Sequence, residues 1–171
     1  MESVSSSDVR LFNSSFNGDI EGVIAALAQG GRVTVRGPQG FTPLLAAAQN
    51  SHTDICGLLL AHGSNVNEKM SDRKHTALHF AAGIGQNALV EALLSWGAEV
   101  NPQDHHGFTP LHCACQEGHR LCVLKLLNAG ASLTLPMIQG SLPIHVAAES
   151  NRVEIITTLL ERCCSPDMVS W

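Results

Sequence analysis

Apolar residues recur along the chain in short groups with helical spacing. One group lies at residues 55–59 and another at residues 90–94, with apolar side chains three and four positions apart. This spacing places them on one face of a helix. Each group follows a stretch of small residues, such as the alanines at 46–48. The pattern predicts helix pairs, in which a small-residue first helix permits close packing and a second helix carries the bulky core residues.

The predicted helix pair is repeated. Four segments align without gaps, and successive copies start 34, 33 and 33 residues apart, counted from Thr42. The segments are residues 41–48, 75–82, 108–115 and 141–148. A glycine after the second helix keeps the same interval, at Gly63, Gly97 and Gly130. A regular period of this length indicates an array of stacked units.

The start of each first helix has its own local signal. Pro43, Pro110 and Pro143 lie at the predicted first turn, where a helix does not need the missing N–H. Thr42 and Thr109 precede two of these prolines and are predicted N-caps.

The recurring Thr-Pro-Leu-His-x-Ala pattern, with its period of about 33, resembles that of the ankyrin-repeat family. The resemblance covers nearly the whole chain. It implies an all-α solenoid of stacked helix-turn-helix units joined by β-hairpin loops, forming a single domain over residues 1–171. The repeats are predicted at approximately residues 7–36, 37–70, 71–103, 104–136 and 137–166.

The two end repeats depart from the pattern. The first has Arg10 and Phe12 in place of the proline and histidine, and it adds Phe16. We expect this repeat to be a cap with a more polar outer face. In the last repeat Cys163 stands in place of the glycine, and Pro166 is expected to prevent the helix from continuing.

Composition narrows the classes of partner. The net charge is −5 with only ten Lys and Arg residues, which does not suit the neutralisation of a phosphate backbone, so no nucleic-acid partner is expected. No apolar run approaches the roughly 20 residues that cross a bilayer, so no membrane insertion is expected. The first ten residues do not resemble a secretory signal. We expect a monomeric protein of the cytoplasm or nucleus with its six cysteines reduced.

One cluster invites a metal or catalytic interpretation. His112, Cys113, Cys115, His119 and Cys122 include enough ligands for a tetrahedral zinc site. The repeat explains them better, because the histidine recurs at equivalent positions without neighbouring cysteines. No Cys–His pair differs from its copies in other repeats, as a catalytic pair would have to. We therefore predict no enzyme activity, no metal and no cofactor.

Three further surface features have alternative interpretations. Asn67 and Asn101 end Val-Asn pairs that resemble substrates of an intracellular asparaginyl hydroxylase, although Asn also supports turns. The basic residues near Arg73 form either a solvated turn or a contact for an acidic partner. His105 and His106 are either solvated or a pH switch.

The resemblance implies binding of another protein or an extended peptide in a concave groove, formed by hairpin tips and first-helix faces. The positions in the predicted hairpins are Gln39, Phe41, Arg73, His75, His106, Phe108 and Gln139. Those at the ends of first helices are Gln49, Asn50, Ile84, Gln116, Glu117 and Glu149. Trp96 lies at the end of a second helix.

Among these residues, Phe41, Trp96 and Phe108 are the predicted anchors, because large exposed aromatic residues are common binding anchors. The two phenylalanines have an alternative role, which is to pack against the neighbouring hairpin. Ile84 is a further candidate because its equivalents in other repeats are polar. The predicted function is a protein-interaction scaffold or adaptor. A structural spacer or an inhibitor of a partner enzyme remains an alternative.

Overall fold

The computed structural model describes residues 4–163, which form ten α-helices arranged as five successive pairs. The first helices are α1 (Ser6–Asn17), α3 (Pro43–Gln49), α5 (Ala77–Ile84), α7 (Pro110–Glu117) and α9 (Pro143–Glu149). The second helices are α2 (Ile20–Ala28), α4 (Thr53–Ala61), α6 (Asn87–Ser95), α8 (Arg120–Asn128) and α10 (Val153–Cys163). The part of the chain between residues 4 and 163 contains no β-strand and no helix long and apolar enough to span a membrane.

The predicted caps begin the first helices. The Oγ1 of Thr42 accepts a hydrogen bond from the N–H of Leu45 at 3.4 Å, and Pro43 occupies the first turn. In the fourth repeat the N–H of Thr109 donates to Nδ1 of His112 at 3.2 Å. The signature histidine therefore helps to cap its own helix, because it accepts a bond from an N–H that the helix cannot satisfy.

One core runs through the stack. Each first helix packs against the next first helix, and each second helix against the next second helix. The alanines of the first helices are fully buried, for example Ala47 and Ala81, while Leu59, Leu93 and Leu126 are the corresponding fully buried residues of the second helices. Each such leucine contributes about 1.5–3 kcal/mol on burial, so stability is distributed over all the repeats.

Asparagine side chains link consecutive repeats. Oδ1 of Asn67 accepts a hydrogen bond from the N–H of Glu99 at 2.7 Å, and its Nδ2 donates to the carbonyl oxygen of Gly97 at 3.4 Å. Asn101 repeats both bonds with the turn after α8, at 2.9 and 3.2 Å. The Val-Asn pairs thus have a structural role that reaches the next repeat, beyond the local turn.

The loops between repeats double back as tight turns. One backbone hydrogen bond closes each turn, as between the N–H of Asp104 and the carbonyl of Phe108 at 2.9 Å. Neighbouring turns are also bonded, since the N–H of His105 donates to the carbonyl of Arg73 at 3.1 Å. The turns form a row beside the first helices. We call the surface between this row and the first helices the groove.

The expectation of a more polar first repeat is wrong. Val9, Ile20 and Ile24 are each 41–49% exposed. At the other end Val153 and Leu160 are 66% and 50% exposed, because no repeat follows α10 within the described residues. The predicted helix end before Pro166 lies outside the described residues.

Candidate functional site

The groove contains a large depression between α1 and α3, with a volume of about 470 Å³. Its lining is predominantly apolar and includes no charged residue. The lining residues are Phe12, Asn13, Phe16, Pro38, Gln39, Phe41 and Gln49. The degenerate first repeat creates this depression, because Phe16 stands 33 residues before Gln49, where the other repeats have glycine, glutamine or glutamate. Phe16 is 47% exposed, so its ring is available to a ligand.

Phe41 is not the exposed anchor that the sequence predicted. Its exposed fraction is 9%, and its ring stacks on that of Phe80 with centroids 5.8 Å apart and planes at 25°. The structure therefore supports a packing role, although the contact is with the next first helix rather than with a hairpin. Only an edge of Phe41 reaches the depression, so its removal would disturb the core as well as the groove.

A second depression, of about 200 Å³, lies between α5 and α7. Phe80 and Ile84 form its apolar wall, and Ile84 is 44% exposed. Its lining residues are His75, His79, Phe80, Gly83, Ile84, Cys113, Gln116 and Glu117. A β-carbon added to Gly83 would meet only Cβ of Cys113, at 3.7 Å, so the floor between the two helices is open.

The second depression is polar at two edges. Nε2 of His75 lies 3.1 Å from Oδ2 of Asp104, which fixes the imidazole on the turn side. On the helix side Glu117 is exposed and makes no salt bridge within residues 4–163. This depression therefore combines an apolar wall with an unpaired carboxylate.

The signature histidines are structural. Because Nδ1 of His79 accepts from the N–H of Thr76 at 3.1 Å, Nε2 carries the proton and donates to the carbonyl of Phe108 at 3.0 Å. Burial lowers the pKa of His79 to about 4, so its imidazole is neutral at pH 7. His112 makes the same bridge to Ser141 at 3.3 Å, and burial lowers its pKa too.

Other predicted positions lie outside both depressions. Arg73, His106 and Gln139 are exposed on turns, and Asn50 caps α3 through a bond from Nδ2 to the carbonyl of Ala46 at 3.0 Å. Phe108 is half-buried with its ring against His112. Trp96, the C-cap residue of α6, is 50% exposed.

Several groove residues were not predicted as binding residues. Phe12, Phe16 and Phe80 line the depressions, and Ile138 is 76% exposed on the turn that carries Gln139. Extension of the repeat register into the first repeat would have placed Phe16 at a helix-end groove position. No signal in a single sequence indicates that Ile138 is exposed.

The cysteines are poorly suited to nucleophilic or metal-binding roles. Burial raises the pKa of Cys113 and Cys115 to about 12 and that of Cys122 to about 11, which disfavours the thiolate that either role requires. Sγ of Cys122 instead donates to Oδ1 of Asn87 at 3.1 Å. Across residues 4–163, no group of three or more His, Cys, Asp and Glu side chains is placed to hold a metal ion.

Comparison with known proteins gives the same repeat. The family model described as ankyrin repeats (3 copies) matches residues 11–104, 65–137 and 99–169. The neurogenic locus notch homolog protein 1 of Danio rerio is 33% identical over 92 residues, which is 46% of this chain and 4% of that protein. The B-cell lymphoma 3 protein homolog of Mus musculus is 37% identical over 91 residues, 53% of this chain and 20% of that protein.

A diacylglycerol kinase iota of Homo sapiens is 32% identical over 109 residues, 63% of this chain and 10% of that protein. The chain thus matches a fifth or less of the length of each of these relatives. Proteins of the matched family are typically non-catalytic, and their repeats generally mediate protein–protein interaction. The family model covers nearly the whole chain in three overlapping matches, and the chain belongs to the ankyrin-repeat family.

Proposed function

We propose that this chain is a recognition module whose groove binds another protein through an extended segment. The carrying observation is the position of Phe16 and Ile84. Both are close to half exposed, and both stand where the equivalent residues of the other repeats are polar or glycine. Large apolar side chains of this kind are the usual anchors of protein interfaces.

The rest of the groove supports recognition rather than catalysis. Histidines that could act as bases are used to join repeats, and the buried thiols are protonated at neutral pH. The proposal describes a non-catalytic, monomeric adaptor or scaffold segment of the cytoplasm or nucleus, without a nucleic-acid partner. Its net charge of −5 supports the last point.

The test is a comparative capture of proteins from cell lysate with quantitative mass spectrometry. The bait is the wild-type chain, a groove variant with Phe16→Glu and Ile84→Glu, or a control with Leu121→Glu. Leu121 is 56% exposed on the outer helix α8, so it matches the groove residues in exposure but lies outside both depressions. Circular dichroism confirms that each variant is folded.

Partners that are retained by the wild type and the control, and lost by the groove variant, would support the proposal. Equal retention by all three baits would contradict it. That result would favour either an interface on another face or a structural spacer.

A further inference from the structure

We infer that one extended peptide occupies both depressions of the groove, with two apolar anchor residues about five or six positions apart and a lysine or arginine beside the second anchor. This inference rests on the proposed function and deepens it, because it states which peptide chemistry the groove selects. The argument uses the spacing of the depressions, their linings and their charge.

The spacing follows from the order of the helices. The first depression lies between α1 and α3 and the second between α5 and α7, and these four helices pack in sequence along the stack. Packed helices are about 8–10 Å apart, so the two depressions are separated by two such steps, or about 16–20 Å. An extended chain advances about 3.3 Å per residue, which gives five or six residues between anchors.

The first depression suits a large uncharged side chain. The rings of Phe12 and Phe16 form its walls, and Asn13 and Gln49 supply its only polar side-chain groups besides Gln39. No Asp, Glu, Lys or Arg residue lines it. A leucine, methionine or aromatic residue would bury its surface there without leaving a protein charge unpaired.

The second depression suits a smaller aliphatic side chain followed by a cation. Its volume is less than half that of the first depression, and Phe80, Ile84 and Gly83 leave room for an aliphatic group. Glu117 borders the same depression with a free carboxylate, and Glu149 is exposed at the end of the next first helix.

Other charges near the groove agree with this direction. Nε of Arg152 is occupied by the carbonyl of Gln116 at 2.9 Å. Arg73 and Lys74 lie on the turns, which form the opposite side of the groove. The helix side of the second depression is therefore the side that attracts a lysine or arginine of the ligand.

The first experiment selects ligands from a phage-displayed library of random dodecapeptides on the immobilised full chain. Peptides with two apolar positions five or six residues apart, and Lys or Arg next to one of them, are the expected result. Enrichment of peptides with a single anchor, with another spacing, or of none at all would overturn the inference.

The second experiment assigns each anchor with paired substitutions in the most enriched peptide. Phe16→Glu and Ile84→Glu should each weaken binding about tenfold or more, whereas Leu121→Glu should not. Replacement of the first peptide anchor by alanine should remove the effect of Phe16→Glu and leave that of Ile84→Glu. Effects that simply multiply would show that these side chains do not meet the assigned anchors.

The third experiment reverses the charge at the second depression. Glu117→Lys should change the selected neighbour from Lys or Arg to Asp or Glu, while Glu21→Lys, on the outer helix α2, should select the same peptides as the wild type. An unchanged preference in the Glu117→Lys selection would overturn the inference. The proposed function would still stand if the lysate capture depends on Phe16 and Ile84, so the two failures are distinguishable.

Discussion

The imidazole of His79 donates a hydrogen bond through Nε2 to the carbonyl oxygen of Phe108, 3.0 Å away in the following repeat. His112 makes the equivalent bond to Ser141. The histidine of the repeated motif is thus a link between units: Nδ1 caps its own helix and Nε2 holds the next turn. Because the next turn forms one side of the groove, the same bonds also position the binding surface.

This relationship predicts a pH dependence of stability. His79 has a folded-state pKa of about 4, below the value of about 6.5 expected after unfolding. The unfolded chain therefore binds more protons below pH 6.5, so this stabilisation is fully present above that pH and is lost as the pH falls. The loss attributable to His79 is about 2 kcal/mol at about pH 5.

Urea denaturation at about pH 7.5 and pH 5 measures this loss, with His79→Gln as the variant that cannot titrate. The variant is expected to be less stable at pH 7.5 but to lose less stability on acidification than the wild type. An identical loss in both proteins would exclude His79 as the source. Asp8 acts at lower pH, because hydrogen bonds from Arg32 hold its pKa well below the usual range.

Replacement of Asn101 by alanine is expected to destabilise the stack by about 1–3 kcal/mol. The substitution leaves the N–H of Ser132 and the carbonyl of Gly130 without their bonds to this side chain. Urea denaturation measures the cost. Asn65→Ala is the control, since Asn65 makes only local bonds within its own turn. Equal effects of the two substitutions would mean that the link between repeats adds nothing.

Leu93→Ala is expected to cost about 2–5 kcal/mol, because it leaves a cavity in the middle of the stack. Leu93 is fully buried on α6, whereas Leu121 is 56% exposed on α8. Leu121→Ala should change the free energy of unfolding by less than about 0.5 kcal/mol. An unchanged denaturation midpoint for Leu93→Ala would show that the assignment of the core face is wrong.

The buried thiols are expected to be unreactive in the folded protein. Burial raises the pKa of Cys56 and Cys115 to about 12, whereas Cys163 is exposed. Alkylation at neutral pH followed by peptide mass spectrometry should modify Cys163 first, and Cys56 and Cys115 only after denaturant is added. Rapid native-state modification of Cys115 would contradict the packing of α7.

The features that repeat were predictable from the sequence. The caps at Thr42 and Thr109, the alanine-rich packing of the first helices and the left-handed turns after the second helices all depend on local chemistry that recurs every 33 or 34 residues. At Gly97 and Gly130, φ is 83° and 92°, which explains why glycine recurs there.

The groove was harder to predict because its side chains depart from the repeat. Phe41 was expected to be exposed, but Phe80, which replaces Ala46 of the preceding repeat, covers its ring. Phe16 escaped notice as a site because the first repeat lacks the motif that fixes the register. Burial of an aromatic residue depends on its neighbour in the next unit, and a sequence pattern within one unit does not report it.

Photo-crosslinking is the most direct test of the central claim, that the groove is the binding surface. A photoreactive phenylalanine analogue would replace Ile84 in one protein and Leu121 in another, and each protein would be irradiated in cells. We predict partner crosslinks from position 84 and none above background from position 121. Crosslinks to the same partners from position 121, with none from position 84, would contradict the claim and place the interface on the outer helices.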